Sequence, residues 1–328
     1  MNFHQKPEPI ETRPSFRLHY EPVAGRESPR RNDVAQRVLA MATAPFLGSK
    51  RMFPSRFDHA YKRLMEGAEE AEITPEHAAW YFGATLHLDV DPAKLNRRIS
   101  DWVRSPRGIN WVGGSFLDAA DWSAALSPLD RSPIHREMHD IVAAGADFRR
   151  TATYRNFLRA IELGRPMLRN NVRLASQDAI EAYLKYCRGL IKSMRKRGAM
   201  RRAASGAFHG IRVRHWDARS PLHDSSERDI GVAIDADGSI VRHLGGKHRT
   251  AIAQALKLPT LPVEIRMVHA FWLRQQVEKT GLPPHLALIE GVGQLVACGL
   301  AAAKPAPAPA EIEAAAGGGR HNKRTMSR

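Results

Sequence analysis

Cysteine is nearly absent: Cys187 and Cys298 are the only two in 328 residues. Thiols so far apart give neither metal-ligand spacing nor a disulfide framework. Both lie in apolar patterns at helical spacing, which suits core packing. A long hydrophobic run is also missing. Leu286 to Ala303 comes closest to a membrane span, but it holds Glu290, Gln294 and three glycines. The opening MNFHQKPEPIETRP lacks the apolar core of a secretory signal. The expectation is a cytoplasmic protein without a membrane partner. There is no internal repeat. Acidic residues are in short supply, 34 against 50 Lys and Arg, which leaves a net charge of +16. Such an excess points to a polyanionic partner, a phosphorylated ligand or an acidic surface.

What is present is otherwise ordinary for a globular chain, with 43% apolar and 26% charged residues. The length allows more than one domain and a sizeable core. The charge is uneven. Residues 192–219 carry nine Lys and Arg against Asp217 alone, a net +8 and half of the chain's total. Arg320, Lys323, Arg324 and Arg328 add four more near the end.

Residues 1–32 are rich in Pro, Arg and Glu without periodicity and read as disordered. The range 33–198 reads as helical. Asp33 is a plausible N-cap, and helices fit Arg56 to Gly67, Pro75 to Thr85, Pro92 to Arg104, Pro133 to Ala144 and Ala152 to Gly164. Thr74-Pro75-Glu76 and Asp91-Pro92 are good helix starts, a capping residue followed by proline. Ser105 to Leu117, with Pro106, Gly108, Gly113 and Gly114, reads as a loop. Ser176 to Gly198 is the clearest helix. Ser176 caps it, Ile180, Tyr183, Leu184, Cys187, Leu190, Ile191 and Met194 share one face, and Arg195-Lys196-Arg197 suit its negative end. Residues 199–281 read as a second unit, 282–303 as a C-terminal helix, and 304–328 as a low-complexity tail.

The most informative stretch is Gly231 to His269. Val232, Ala233 and Ile234 read as a strand, Asp235 to Gly238 as a turn, and Ser239 to His243 as a second strand. Gly245-Gly246-Lys247-His248-Arg249 then opens a helix with Ala251, Ile252, Ala255 and Leu256 at 3–4 spacing. Leu261 to Met267 reads as a third strand. A helix start is electropositive and favours acidic residues. Here it carries Lys247, His248 and Arg249, which calls for an anion. Two glycines would let backbone N–H groups approach that anion closely. Phosphate is the obvious candidate.

The stretch from Ile230 to Val268, with Leu244-Gly245-Gly246-Lys247-His248-Arg249 as its loop, resembles the domain shared by ParB partition proteins and sulfiredoxin. Asp121-Trp122, Thr153-Tyr154 and the helix up to Gly198 extend the likeness to a ParB-like group with a helical N-terminal half. The resemblance implies an α+β fold in which a small mixed sheet with helices follows that helical half, flanked by disordered basic tails. It also implies a nucleotide pocket, with Gly246, His248 and Arg249 on the phosphates. Gly245, Lys247 and Thr250 belong to the same loop. ATP or CTP, with Mg²⁺, is the implied ligand. Where sulfiredoxin has its catalytic cysteine this chain has Lys247, so sulfinic acid repair is not expected. Where the related serine kinases carry aspartate it has Gly245. The Arg-rich, glutamate-bearing loop of the CTP-binding members is absent as well.

Phosphoryl transfer also needs a carboxylate to hold a metal or take a proton. Glu227 and Asp229, just before the first strand, are the candidates. Asp235 and Asp237 are explained by the turn. His209, His215, His223, His243 and His269 cluster in sequence but lack zinc-site spacing, so no metal site is expected. The rival reading is nucleic-acid binding along Arg195, Lys196, Arg197, Arg201, Arg202, Arg212 and Arg214. A helix-turn-helix at Val277 to Ala287 is poorly served by Pro283 and Pro284. A third reading is a non-catalytic interaction scaffold.

Overall fold

The computed structural model describes residues 16, 18–22, 50–68, 71–106, 108–169, 172–201, 229–297 and 301–302. Their helices are α1 (Phe53–Met65), α2 (Pro75–Phe82), α3 (Pro133–Ala144), α4 (Ala152–Glu162), α5 (Gln177–Arg197), α6 (Lys247–Ala255), α7 (Ala270–Thr280) and α8 (Pro284–Ala297). The strands are β1 (Glu21–Pro22), β2 (His87–Val90), β3 (Arg97–Ile99), β4 (Trp102–Ser105), β5 (Gly108–Trp111), β6 (Leu117–Asp118), β7 (Leu126–Pro128), β8 (Leu168–Arg169), β9 (Val172–Arg173), β10 (Ile230–Ile234), β11 (Ile240–Arg242), β12 (Leu261–His269) and β13 (Ala301–Ala302). The chain is therefore α+β with a mixed sheet.

Capping explains several helix starts. The Thr74, Thr151 and Ser176 hydroxyls accept from the backbone N–H of His77, Tyr154 and Ala179 respectively. The Asp91-Pro92 start is a correction. Asp91 does cap, accepting from Ala93 N–H, but only a 3₁₀ turn over Pro92–Lys94 follows. The rest of the expected helix to Arg104 is β3 and β4. The loop expected at Ser105 to Leu117 contains β5, which pairs antiparallel with β4. In the N-terminal stretch expected to be disordered, β1 pairs with β4.

The main sheet runs β13-β2-β12-β10-β11-β3-β7, with β6 beside the end of β12. β2, β3, β6 and β7 come from the range read as helical, so the sheet crosses the boundary expected at residue 198. β10 and β12 lie at its centre, parallel to each other, with every residue buried. Burial on both faces explains why both read as nearly continuous apolar runs.

Ile230, Val232 and Ile234 join the larger core with α1 to α8. Ala233, Val241 and Met267 join a smaller one with Ile99, Val103 and Trp122. The few aromatics are concentrated: Phe53, Phe57, Tyr81, Phe82 and Phe116 interlock at centroid separations between 4.5 and 6.3 Å. Cys187 is fully buried in α5, and burial pushes its thiol up to about 12, so it is an inert packing residue. Cys298 lies outside the described residues.

Candidate anion-binding site

The loop from Leu244 to Thr250 joins β11 to α6. Gly245 and Gly246 have φ of +71° and +63°, the left-handed region that glycine tolerates. Gly246 is the N-cap residue of α6, and no side chain caps the helix there. A Cβ on Gly246 would stand 2.3 Å from Ile230 Cγ1, and one on Gly231 would stand 2.5 Å from the Leu244 carbonyl oxygen. The loop therefore presses directly on β10. Gly231 N–H donates to Leu244 O at 2.7 Å, and His243 N–H donates to Gly231 O at 2.8 Å.

Lys247, His248 and Arg249 are consecutive in the first turn, so they leave the helix in three directions. Each meets a different part of the chain. Lys247 Nζ donates to Asp101 Oδ2 at 2.8 Å, in the turn between β3 and β4. The Tyr183 hydroxyl of α5 meets His248 Nε2 at 2.9 Å. Arg249 Nη1 lies 3.9 Å from Asp229 Oδ1, at the entrance to β10. Thr250 Oγ1 donates back to Gly246 O at 3.1 Å. The basic helix start thus has carboxylates from the chain itself beside it, and the sequence separations of 146 and 65 residues hid two of these partners.

Burial pushes the His248 imidazole down to about 4, and the Arg169 and Lys247 charges push the same way. His248 is neutral at pH 7. Arg169 is held in place by a buried ion pair with Glu137 and lies over the Phe157 ring.

Asp229 is buried and ringed by cations. Its carboxylate is 3.7 Å from His87 Nδ1 and 3.9 Å from both Arg201 Nη1 and Arg249 Nη1, while Arg266 Nη2 donates to its backbone carbonyl at 2.6 Å. Arg266 owes its position to an irregularity in the sheet. The β10–β12 register jumps from Val232↔Ile265 to Ala233↔Met267, leaving Arg266 as the extra residue. Its Nη1 would be 3.9 Å from a Cβ on Gly245, so this cation stands next to the loop.

Beneath the loop sits a group that was not singled out from sequence. Arg242 is 1% exposed and donates through Nη1 to Gly245 O at 3.2 Å. Its Nη2, both ring nitrogens of His243 and Asp101 Oδ1 are buried without a hydrogen-bond partner among the described residues. Burial lowers Arg242 to about 10, against the pull of Asp101, so it stays charged. Burial lowers His243 to about 3, so it is neutral. Burial pushes the Asp101 carboxyl up, but Lys247 and Arg242 outweigh it and hold the group below the ordinary range. A polar pair at the end of the otherwise apolar β11 segment is the available signal: Arg242 and His243 follow Ile240-Val241 directly.

Of the residues proposed from sequence, Asp229 and Gly245 to Thr250 come together here. Glu227 lies outside the described residues, as do Arg202, Arg212 and Arg214. Arg195, Lys196 and Arg197 are exposed at the end of α5. Arg201 is not free for another polyanion, because its Nη2 donates to Asp89 Oδ1 at 2.8 Å.

The other end of α6 borders a cavity of about 970 Å³. His135 and His139 of α3 line it, four residues apart, with ring centroids separated by 4.3 Å. The Gln254 amide donates to Pro92 O and Leu95 O, at 2.8 and 2.7 Å, so its Oε1 faces His135 Nε2, 2.6 Å away, as an acceptor. His135 therefore carries its proton on Nε2. The His-x-x-x-His spacing of His135 and His139 is legible in the sequence. No group of three or more His, Cys, Asp or Glu that could hold a metal occurs among the described residues. No helix among them is long and apolar enough to cross a membrane.

No protein-family model, curated protein or solved structure matches the chain.

Proposed function

We propose that the chain binds the phosphates of a nucleotide, ATP or CTP, at the loop from Leu244 to Thr250, in the manner implied by its likeness to ParB and sulfiredoxin. One observation carries this reading. Two left-handed glycines precede a helix N-terminus, and beside them lies a buried, charged Arg242 whose Nη2 has no partner among the described residues. A buried guanidinium donor is costly to leave unmatched. A phosphate oxygen is the group that would satisfy it together with the helix N–H groups.

Of the two carboxylates beside the loop, Asp101 is the more accessible to a ligand. Asp101 is 29% exposed along its side chain, against 3% for Asp229, whose carboxylate is enclosed by three basic side chains. Mg²⁺ would shield the phosphate charges and polarise the transferred group. His248 would act as a neutral hydrogen-bonding group, not as a cation.

Thermal shift over ATP, ADP, CTP and GTP with Mg²⁺ tests the reading. Saturation at 100 times the dissociation constant should stabilise the protein by about 2.7 kcal/mol. Lys247→Ala should reduce the shift. A flat response to every nucleotide would remove the reading.

Among the described residues, nucleic-acid binding is supported by the exposed Arg195, Lys196 and Arg197, together with the +16 charge of the chain. Retention on DNA that falls steeply with salt would favour it.

A further inference from the structure

We propose that Asp101 is the specificity residue of the phosphate site: its carboxylate occupies the place of a ligand anion on Lys247, so that only a terminal phosphate dianion displaces it, and a phosphodiester does not. The inference rests on the loop being the phosphate site.

The geometry has three parts. Asp101 Oδ2 is 2.8 Å from Lys247 Nζ, the first helical residue after the two glycines. Asp101 Oδ1 has no partner among the described residues, and neither has the buried Arg242 Nη2. Arg242 is itself tied to Gly245 O, so this guanidinium is fixed relative to the loop backbone. The carboxylate thus satisfies one cation and leaves the other half-matched. Lys247 and Arg242 against Asp101 amount to one net positive charge. A carboxylate has two oxygens and one charge. A terminal phosphate has three free oxygens and nearly two charges, enough for Lys247, Arg242 and the helix N–H groups together.

Competition follows from this arrangement. A monoanionic phosphodiester offers no more charge than the carboxylate already there, and it adds the repulsion of a like charge. A di- or triphosphate gains a second charge and more contacts. Asp101 is able to withdraw because it sits in the turn between β3 and β4 and not within a paired strand. That turn is connected through Val112 N–H to Asp101 O, at 3.2 Å, to the segment after β5. The same segment rests on the loop, since a Cβ on Gly113 would stand 2.3 Å from Leu244 Cδ1.

The test is isothermal titration of the full-length protein with ATP, with pyrophosphate and with cyclic AMP, whose one phosphate is a monoanionic diester. Wild type should bind ATP and pyrophosphate at least about tenfold more tightly than cyclic AMP. Asp101→Asn keeps the side-chain shape and removes the charge. It should tighten all three ligands, cyclic AMP the most, so that the preference narrows by about tenfold. Asp101→Ser serves as a second variant if the asparagine form fails to fold, with folding checked by thermal melting without ligand. If Asp101→Asn leaves the three affinities and their ratios as in wild type, or weakens them, the assignment of Asp101 is wrong while the phosphate site stands. If neither wild type nor variant binds any of the three, the phosphate site falls and this inference with it.

Discussion

The two ends of α6 obey opposite rules. Its N-terminus carries two basic residues and a neutral histidine where acidic ones are favoured, and no side chain caps it. Its C-terminus follows the ordinary pattern. Lys257 lies just beyond the last turn, Leu258 N–H returns to Ala253 O at 2.9 Å, and Lys257 takes the left-handed conformation at φ +52°. At the first end, Asp101, Tyr183 and Asp229 arrive from three distant segments to meet the three residues of the first turn. At the second, the neighbours leave an open cavity. Local rules thus account for the C-terminal end without help. At the N-terminal end long-range partners meet the basic side chains instead, and that is where the proposed anion site lies.

Five substitutions would break or sharpen this contrast. Asp229→Asn removes the buried carboxylate charge beside Arg201, Arg249 and His87. It should cost about 3–5 kcal/mol in urea unfolding, and a loss under 1 kcal/mol would show that the N-terminal end does not depend on it. Gly246→Ala comes next, with a left-handed alanine whose Cβ meets Ile230. A loss of about 2–4 kcal/mol is expected from strain and overpacking together.

The third is a pH effect. His243 is held at about 3 by burial, below an ordinary value of 6.5. Between those limits the unfolded chain takes up a proton that the folded chain refuses. Stability should therefore fall as pH drops from 6.5, by about 1 kcal/mol per pH unit for this group. His243→Asn should flatten that slope. His139 at the cavity, half-buried and lowered by burial and by His135, should contribute less when replaced in the same way. The smallest effect belongs to the C-terminal end: Lys257→Gly relieves a left-handed side chain and should stabilise by about 0.5–1 kcal/mol. A loss of stability there would mean that Lys257 makes a contact its backbone strain conceals.

Much of the helical structure was legible from sequence. Pro133–Ala144 begins and ends where the pattern indicates, and Ser176 and Gly198 bracket α5. The stretch from β10 through β12 also follows its turn and glycine signals closely. The failures lie in the short strands: those before residue 130, β8 and β9 within the range read as helical, and β13, which pairs with β2 where the C-terminal helix was expected to run on to residue 303. They are two to four residues long, too short to establish a period of two. Leu95, Ile99, Trp102 and Val103 happen to fall at helical spacing, and Asp91-Pro92 supplied a start that went no further than one 3₁₀ turn. Of the site, the glycines and basic residues were visible because they are contiguous. Asp101, Tyr183 and Arg266 were not. Two are joined to the loop only through folding, and Arg266 faces it because of a bulge that no local pattern announces.

The position of β12 has a consequence for biosynthesis. This strand lies between β2 and β10 and also holds β6, yet it begins at residue 261 of 328. While the nascent chain emerges, β2 and β6 wait without their neighbour, and the apolar faces of α1 and α2 have no finished sheet to cover. Contacts this remote in sequence close slowly. A ribosome-bound chain stalled before residue 261 should expose apolar surface and recruit chaperones, and emergence of β12 should end that exposure in a single cooperative step.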